Sequence, residues 1–90
     1  MQLTYRVYVL QNMLGRHYIG LSENVAKRVT QHNAGESKWT AKYRPWILAW
    51  QSEELDLSAA RKLENLLKRQ KGGDGFYRLT GLSRLGSSGS

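Results

Sequence analysis

Five side chains able to move a proton or grip an anion stand at spacings that could bring them together. Tyr8 and Tyr18 each lie in a stretch rich in aromatic and β-branched residues, the composition of a β-strand. Arg28 and His32 are four residues apart, which stacks them on one stripe of a helix. Glu64 falls inside the apolar stripe of a later helix, within about 40° of Ala60 and alongside Leu63 and Leu67. A lone carboxylate there is costly to bury, so it either meets a cation or lies at the rim. A phenol titrates near about 10 and an imidazole near about 6.5. A guanidinium stays charged and presents a fork that matches pairs of anionic oxygens. The set suits acid–base work beside an anion. Each member also has a plainer reading. Strand tyrosines usually pack, Arg28 can be solvated, and His32 can serve the dipole at a helix end. Glu64 can pair with Lys68 four residues on, and Gly20 can simply end a strand.

The elements that must position these groups are legible. Tyr5 to Leu10 and Arg16 to Ile19 read as two strands joined through Gln11-Asn12-Met13-Leu14-Gly15, whose Asn and Gly tolerate tight turns. A loop centred on Met13 sets Tyr8 opposite Tyr18, and cross-strand partners share a sheet face. Ser22-Glu23-Asn24 caps a helix from Val25 to His32 that stops at Asn33-Ala34-Gly35, as helices do at Gly. Glu36 to Arg44 has room for a short second helix. Pro45 opens a third strand, Trp46 to Gln51, with Trp46, Leu48 and Trp50 expected on one face. Asp56 or Ser58 caps a last helix from Ala59 to Gln70, ended by Gly72-Gly73. The folded body is expected over residues 1–80, with 81–90 a flexible Gly/Ser-rich tail.

Composition narrows the chemistry. Ninety residues make one domain with a modest core, which favours a surface cleft and a substrate larger than the protein. No cysteine is present, which removes disulfides and cysteine zinc sites. The longest apolar run, Trp46 to Trp50, is far short of the roughly 20 residues of a membrane helix. No signal peptide is visible at Met1 to Tyr8, so the expected compartment is the cytoplasm. A net charge of +7 favours a polyanionic partner, without separating DNA, RNA and anionic membrane. Lys38, Trp39, Lys42, Tyr43 and Arg44 interleave base with aromatic, as phosphate contact and base stacking require, although Trp39 and Tyr43 can equally pack on the sheet. Lys68, Arg69 and Lys71 form a basic helix end.

The ordered set Val7-Tyr8-Val9, Tyr18-Ile19-Gly20, Arg28, His32-Asn33-Ala34-Gly35, Tyr43-Arg44-Pro45 and Glu64 resembles the GIY-YIG nuclease family. It is similar to the small standalone bacterial members and to the amino-terminal nuclease domain of the excision-repair endonuclease. The resemblance covers roughly Tyr5 to Lys71. It implies an α/β sandwich, a three-stranded antiparallel sheet flanked by helices in the order β-β-α-(α)-β-α. It also implies a Mg²⁺-dependent endonuclease acting on DNA, with a place in repair or recombination. Glu64 would hold one Mg²⁺, for which Mn²⁺ can substitute, with waters completing the shell. Arg28 would contact the phosphate, and Tyr8, Tyr18 and His32 would handle the proton of the attacking water. A phenolate at neutral pH needs a shift of about three units, roughly 4 kcal/mol, whereas His32 needs none. Tyr8 is read as base with His32 assisting, and the two tyrosine roles are interchangeable at this level. Three positions depart from the pattern. Val7 and Val9 replace Gly and Ile, Leu21 stands where relatives carry Lys, and Asn65 points about 140° from Ala60 and is not counted in the site. A non-cutting or partner-dependent nucleic-acid-binding module and an RNA nuclease are the rivals, and a protein partner supplying specificity stays open.

Overall fold

A computed structural model of the chain describes residues 3–71 and 73–82. Three strands, β1 (Arg6–Gln11), β2 (His17–Ser22) and β3 (Ile47–Gln51), form one antiparallel sheet in the order β2-β1-β3. Four helices flank it: α1 (Val25–Asn33), α2 (Lys38–Lys42), α3 (Leu57–Gln70) and α4 (Asp74–Thr80). The expected architecture is present, with α4 in addition. Gly72-Gly73 reads as a stop, and it hides a seven-residue helix whose Phe76 is fully buried. The segment is too short to display a full helical period of apolar residues.

Central β1 is buried on both faces from Val7 to Leu10. Val7 and Val9 join Ile19, Ala60, Leu67 and Phe76 in an apolar core beneath α3 and α4. Tyr8 and Leu10 join Val25 and Trp46 on the other face, beneath α1 and α2. Local caps match the sequence reading: the Asn24 side chain accepts from the Lys27 amide and that of Asp56 from the Ala59 amide. Asp56, rather than Ser58, therefore starts α3, two residues earlier than expected.

Two registers differ from expectation. Tyr8 pairs with Gly20, and Leu10 pairs with Tyr18, a shift of two residues. The turn is centred one residue later because the Asn12 side-chain oxygen accepts from the amides of both Leu14 and Arg16, with Gly15 at φ 80°. Side chains alternate with period two, so an even shift leaves Tyr8 and Tyr18 on the same face. In β3 the register slips between Val9 and Leu10, which pair with Trp50 and Leu48, leaving Ala49 as a bulge. The bulge breaks the expected common face. Trp46 packs in the Tyr8 cluster and Trp50 against the Val9 cluster.

Residues 83–90, most of the expected tail, lie outside the described residues. Gly81, at φ 74°, caps α4, and Leu82 packs against the core. Among the described residues, no helix is long and apolar enough to cross a membrane.

Candidate active site

Gly20 decides where the Tyr8 phenol goes. The two residues are cross-strand partners, and a methyl group added at Gly20 would lie 2.7 Å from the Tyr8 oxygen. The ring therefore lies across bare backbone, carrying its hydroxyl over β2 toward the sheet edge. Gly20 is a passage for the phenol rather than a strand terminator, since β2 runs on to Ser22.

His32 meets the phenol from α1. Its Nε2 is 3.1 Å from the Tyr8 hydroxyl, and its Nδ1 is 2.9 Å from the Thr40 hydroxyl on α2. Thr40 is fully buried, and its hydroxyl donates to the Ser37 carbonyl at 3.4 Å. With that proton committed, Thr40 accepts from His32 Nδ1–H. His32 Nε2 is then the acceptor for the Tyr8 O–H, a tautomer assigned from the direction of the network. Burial, and then the Arg28 charge, push the His32 pKa below its ordinary value, which keeps the ring neutral and fit to accept.

Burial likewise raises the Tyr8 pKa above that of a free phenol. The Arg28 guanidinium beside the phenol opposes this, while Tyr18 and Glu64 add to it. The net direction is upward, so in the resting protein Tyr8 is a neutral donor to His32. The same interactions locate the cluster: Tyr18, Arg28 and Glu64 all act on one hydroxyl. The Tyr18 ring lies 6.3 Å from that of Tyr8 and 4.7 Å from that of His32. Arg28 is oriented by donation from Nη1 to Gln31 Oε1 at 2.7 Å. It also stands where two open grooves meet, of about 320 and 350 Å³.

Glu64 reaches the same place from α3, across the β2 edge. Its side chain is 15% exposed and pairs with Lys68 at 3.3 Å. Both readings of that carboxylate therefore hold: it lies at a rim and it meets a cation. Among the described residues no three His, Cys, Asp or Glu side chains cluster, so no all-protein cage is built. A Mg²⁺ ion takes one or two carboxylates and fills its octahedron with water and substrate phosphate. A single half-buried carboxylate beside an open groove fits that donor set.

The residues expected to grip nucleic acid divide. Trp39 packs against Tyr18, Tyr43 and Trp46, next to the cluster, and Lys68 reaches it through Glu64. Tyr43 lies under the Arg16 guanidinium, 4.4 Å from the ring centre. Lys42 and Arg44 line a groove with Asn12, Met13 and Leu14 at the hairpin turn. Arg44 also donates to the carbonyls of Ala41 and Asn33. Lys38 is exposed. Asn65 is exposed on α3, consistent with its exclusion from the site. Thr40 and Gln31, which position His32 and Arg28, carry no signal in the sequence, because neither belongs to the ordered motif.

The GIY-YIG catalytic domain family matches residues 4–76. A UPF0213 protein of Desulfotalea psychrophila, DP2720, is 34% identical over 65 residues, covering 70% of this chain and 59% of its own. The chain thus spans somewhat more than half the length of that relative. No solved structure matches. Placed on one sheet edge by a fold of the expected order, and matched over most of the chain, the motif residues make this protein a member of the GIY-YIG family, a family of endonucleases.

Proposed function

We propose that the chain is a Mg²⁺-dependent endonuclease that hydrolyses DNA phosphodiester bonds in the cytoplasm, in the service of repair or recombination. The observation that carries this reading is the convergence of Tyr18, Arg28, His32 and Glu64 on the Tyr8 hydroxyl. Arg28 would hold the non-bridging oxygens of the scissile phosphate, where a guanidinium fork stabilises charge as it builds. Tyr8 would take a proton from the attacking water as it gives its own to His32 Nε2. No free phenolate is needed, which answers the upward pKa shift. Oxygen from water then bonds to phosphorus, and the bond from phosphorus to the 3′ oxygen breaks. Tyr18 would orient the water or the phosphate. Glu64 would hold the metal ion, which supplies charge neutralisation and a more acidic bound water. Lys38, Lys42, Tyr43, Arg44 and Lys68 would contact the backbone of the strand.

A second reading, the same fold gripping nucleic acid without cutting, is favoured by one observation: Lys68 occupies the carboxylate that a metal ion would need. Supercoiled plasmid incubated with the protein in Mg²⁺ separates the two. Nicking that EDTA stops and that Glu64→Gln abolishes supports the endonuclease. Tight binding with no cutting supports the module, and cutting indifferent to Glu64→Gln sinks both roles given to that residue. Competition between DNA and RNA of matched sequence decides the substrate sugar.

A further inference from the structure

Trp39 has a position that hydrolysis does not explain. Its ring stacks on Trp46 at 28° with centroids 5.9 Å apart, and it meets Tyr43 at 5.1 Å and Tyr18 at 6.0 Å. Three rings fix the indole, yet the residue remains 42% exposed. An immobilised, half-open aromatic surface has little freedom left to lose when a ligand covers it.

A groove of about 270 Å³ runs past this indole, lined by Tyr18, Ile19, Trp39, Lys68 and Lys71. Ring and aliphatic groups supply its wall, and its rim is cationic. The Lys71 ammonium lies 5.9 Å from the indole centre. Burial, followed by the Arg16 and Lys68 charges, lowers the Lys71 pKa, so three cations crowd one rim and an anion placed there relieves them. An aromatic wall with a cationic rim matches a nucleobase and its own phosphate, the combination by which strand-binding proteins hold single strands. A base within a duplex has both faces covered by its neighbours, so only a base outside the stack can lie on Trp39. Because Tyr18 belongs to both the groove and the Tyr8 cluster, that base sits beside the phosphate being cut.

We propose that Trp39, Lys68 and Lys71 form a subsite for an unpaired nucleobase and its phosphate next to the cleaved bond, so that the substrate is DNA with unpaired nucleotides rather than continuous duplex. The position of the cut rests on the endonuclease reading; the stacking does not.

The test uses an oligonucleotide carrying 2-aminopurine, single-stranded and in duplex, with the protein in EDTA to prevent cutting. Binding of the single strand is expected to quench the fluorescent base. Trp39→Phe should keep most of the quench. Trp39→Leu, which fills the apolar space without a ring face, should remove it and weaken binding about ten-fold. Lys71→Gln, at an exposed residue, should leave the quench at saturation and flatten the dependence of log affinity on log salt by about one contact. In Mg²⁺, the preference for gapped over intact duplex should fall on Trp39→Leu. An unchanged quench in Trp39→Leu, an unchanged salt dependence in Lys71→Gln, or equal affinity for single strand and duplex overturns the proposal. A quench that depends on Trp39 without cutting of any substrate removes the endonuclease reading and leaves the subsite. Cutting whose preference ignores Trp39 does the reverse.

Discussion

Val7 and Val9 point to one side of β1, Tyr8 and Leu10 to the other, and the two sides are buried by different chemistry. Beneath α3 and α4 the buried groups are Val, Ile, Ala, Leu and Phe, held by loss of apolar surface from water and by close packing. Beneath α1 and α2 the buried set includes Tyr8, His32, Thr40 and Trp46, and directed hydrogen bonds tie it together. Tyr8 meets His32, His32 meets Thr40, and Trp46 Nε1 donates to the Thr40 carbonyl. Among the described residues no buried side-chain polar atom lacks a partner. An apolar face tolerates small shifts of its contents. A polar face satisfied by single partners does not, and it therefore holds a hydroxyl at a fixed point where chemistry can use it.

Adjacent residues on one strand allow this contrast to be broken. Tyr8→Phe removes only the hydroxyl, and the expected result is a loss of cleavage of about 10²–10⁴-fold with little change in melting temperature. Val9→Ala should do the opposite, lowering stability by about 2 kcal/mol while cleavage per folded molecule stays the same. Cleavage by Tyr8→Phe at the wild-type rate would remove the phenol from the mechanism.

Gly20→Ala inserts a methyl group 2.7 Å from the Tyr8 oxygen without adding charge. Displacing the phenol should reduce cleavage about 10²-fold, the usual penalty for misplacement by an ångström. Thermal melting measured in parallel separates this from unfolding. Thr40→Val keeps the shape and removes the acceptor of His32 Nδ1–H. The expected loss is about ten-fold, in keeping with roughly 1 kcal/mol for a neutral hydrogen bond. The acidic limb of the pH–rate profile should move with it, since the His32 tautomer is then no longer fixed.

The smallest effect is on stability against pH. His17 and His32 both have pKa values lowered mainly by burial. In the unfolded chain they take up protons at a higher pH than in the folded one, so stability is full above the ordinary histidine value of about 6.5 and falls as pH drops through it. Denaturant titrations at pH 7.5 and 5.5 should show the loss. His17→Phe, which keeps a ring 5.0 Å from Phe76, should remove part of it without touching the His32 contribution. A wild-type protein equally stable at both values would contradict the burial argument.

What the sequence disclosed and what it withheld divide along the range of the interactions. Caps at Asn24 and Asp56, the turn at Gly15 and the stop at Gly35 are local, and each is visible as a residue type in its place. The motif set Tyr8, Tyr18, Arg28, His32 and Glu64 was visible as an ordered pattern. The two-residue shift of the hairpin was not, because it depends on which amides the Asn12 side chain chooses. The bulge at Ala49 was hidden because alternation in Trp46, Leu48 and Trp50 presumes a regular strand. Helix α4 was hidden because its existence rests on Phe76 docking against the far side of the sheet. Thr40, eight residues from His32, becomes a partner only once α2 has folded back.

Asn33 joins the two ends of that fold-back. Its amide donates to the Trp46 carbonyl at 2.9 Å and accepts from the Trp46 amide at 2.7 Å, so the last residue of α1 is buttoned to the first turn of chain before β3. The stretch between them is a loop closed at its base. Lengthening such a loop costs little, because closure entropy grows only logarithmically with size. Apart from the anchor at Thr40, residues 34–45 can thus be rewritten or extended while the scaffold on either side keeps its alignment, making this segment a natural cassette in which one nuclease body can acquire a different taste in substrates.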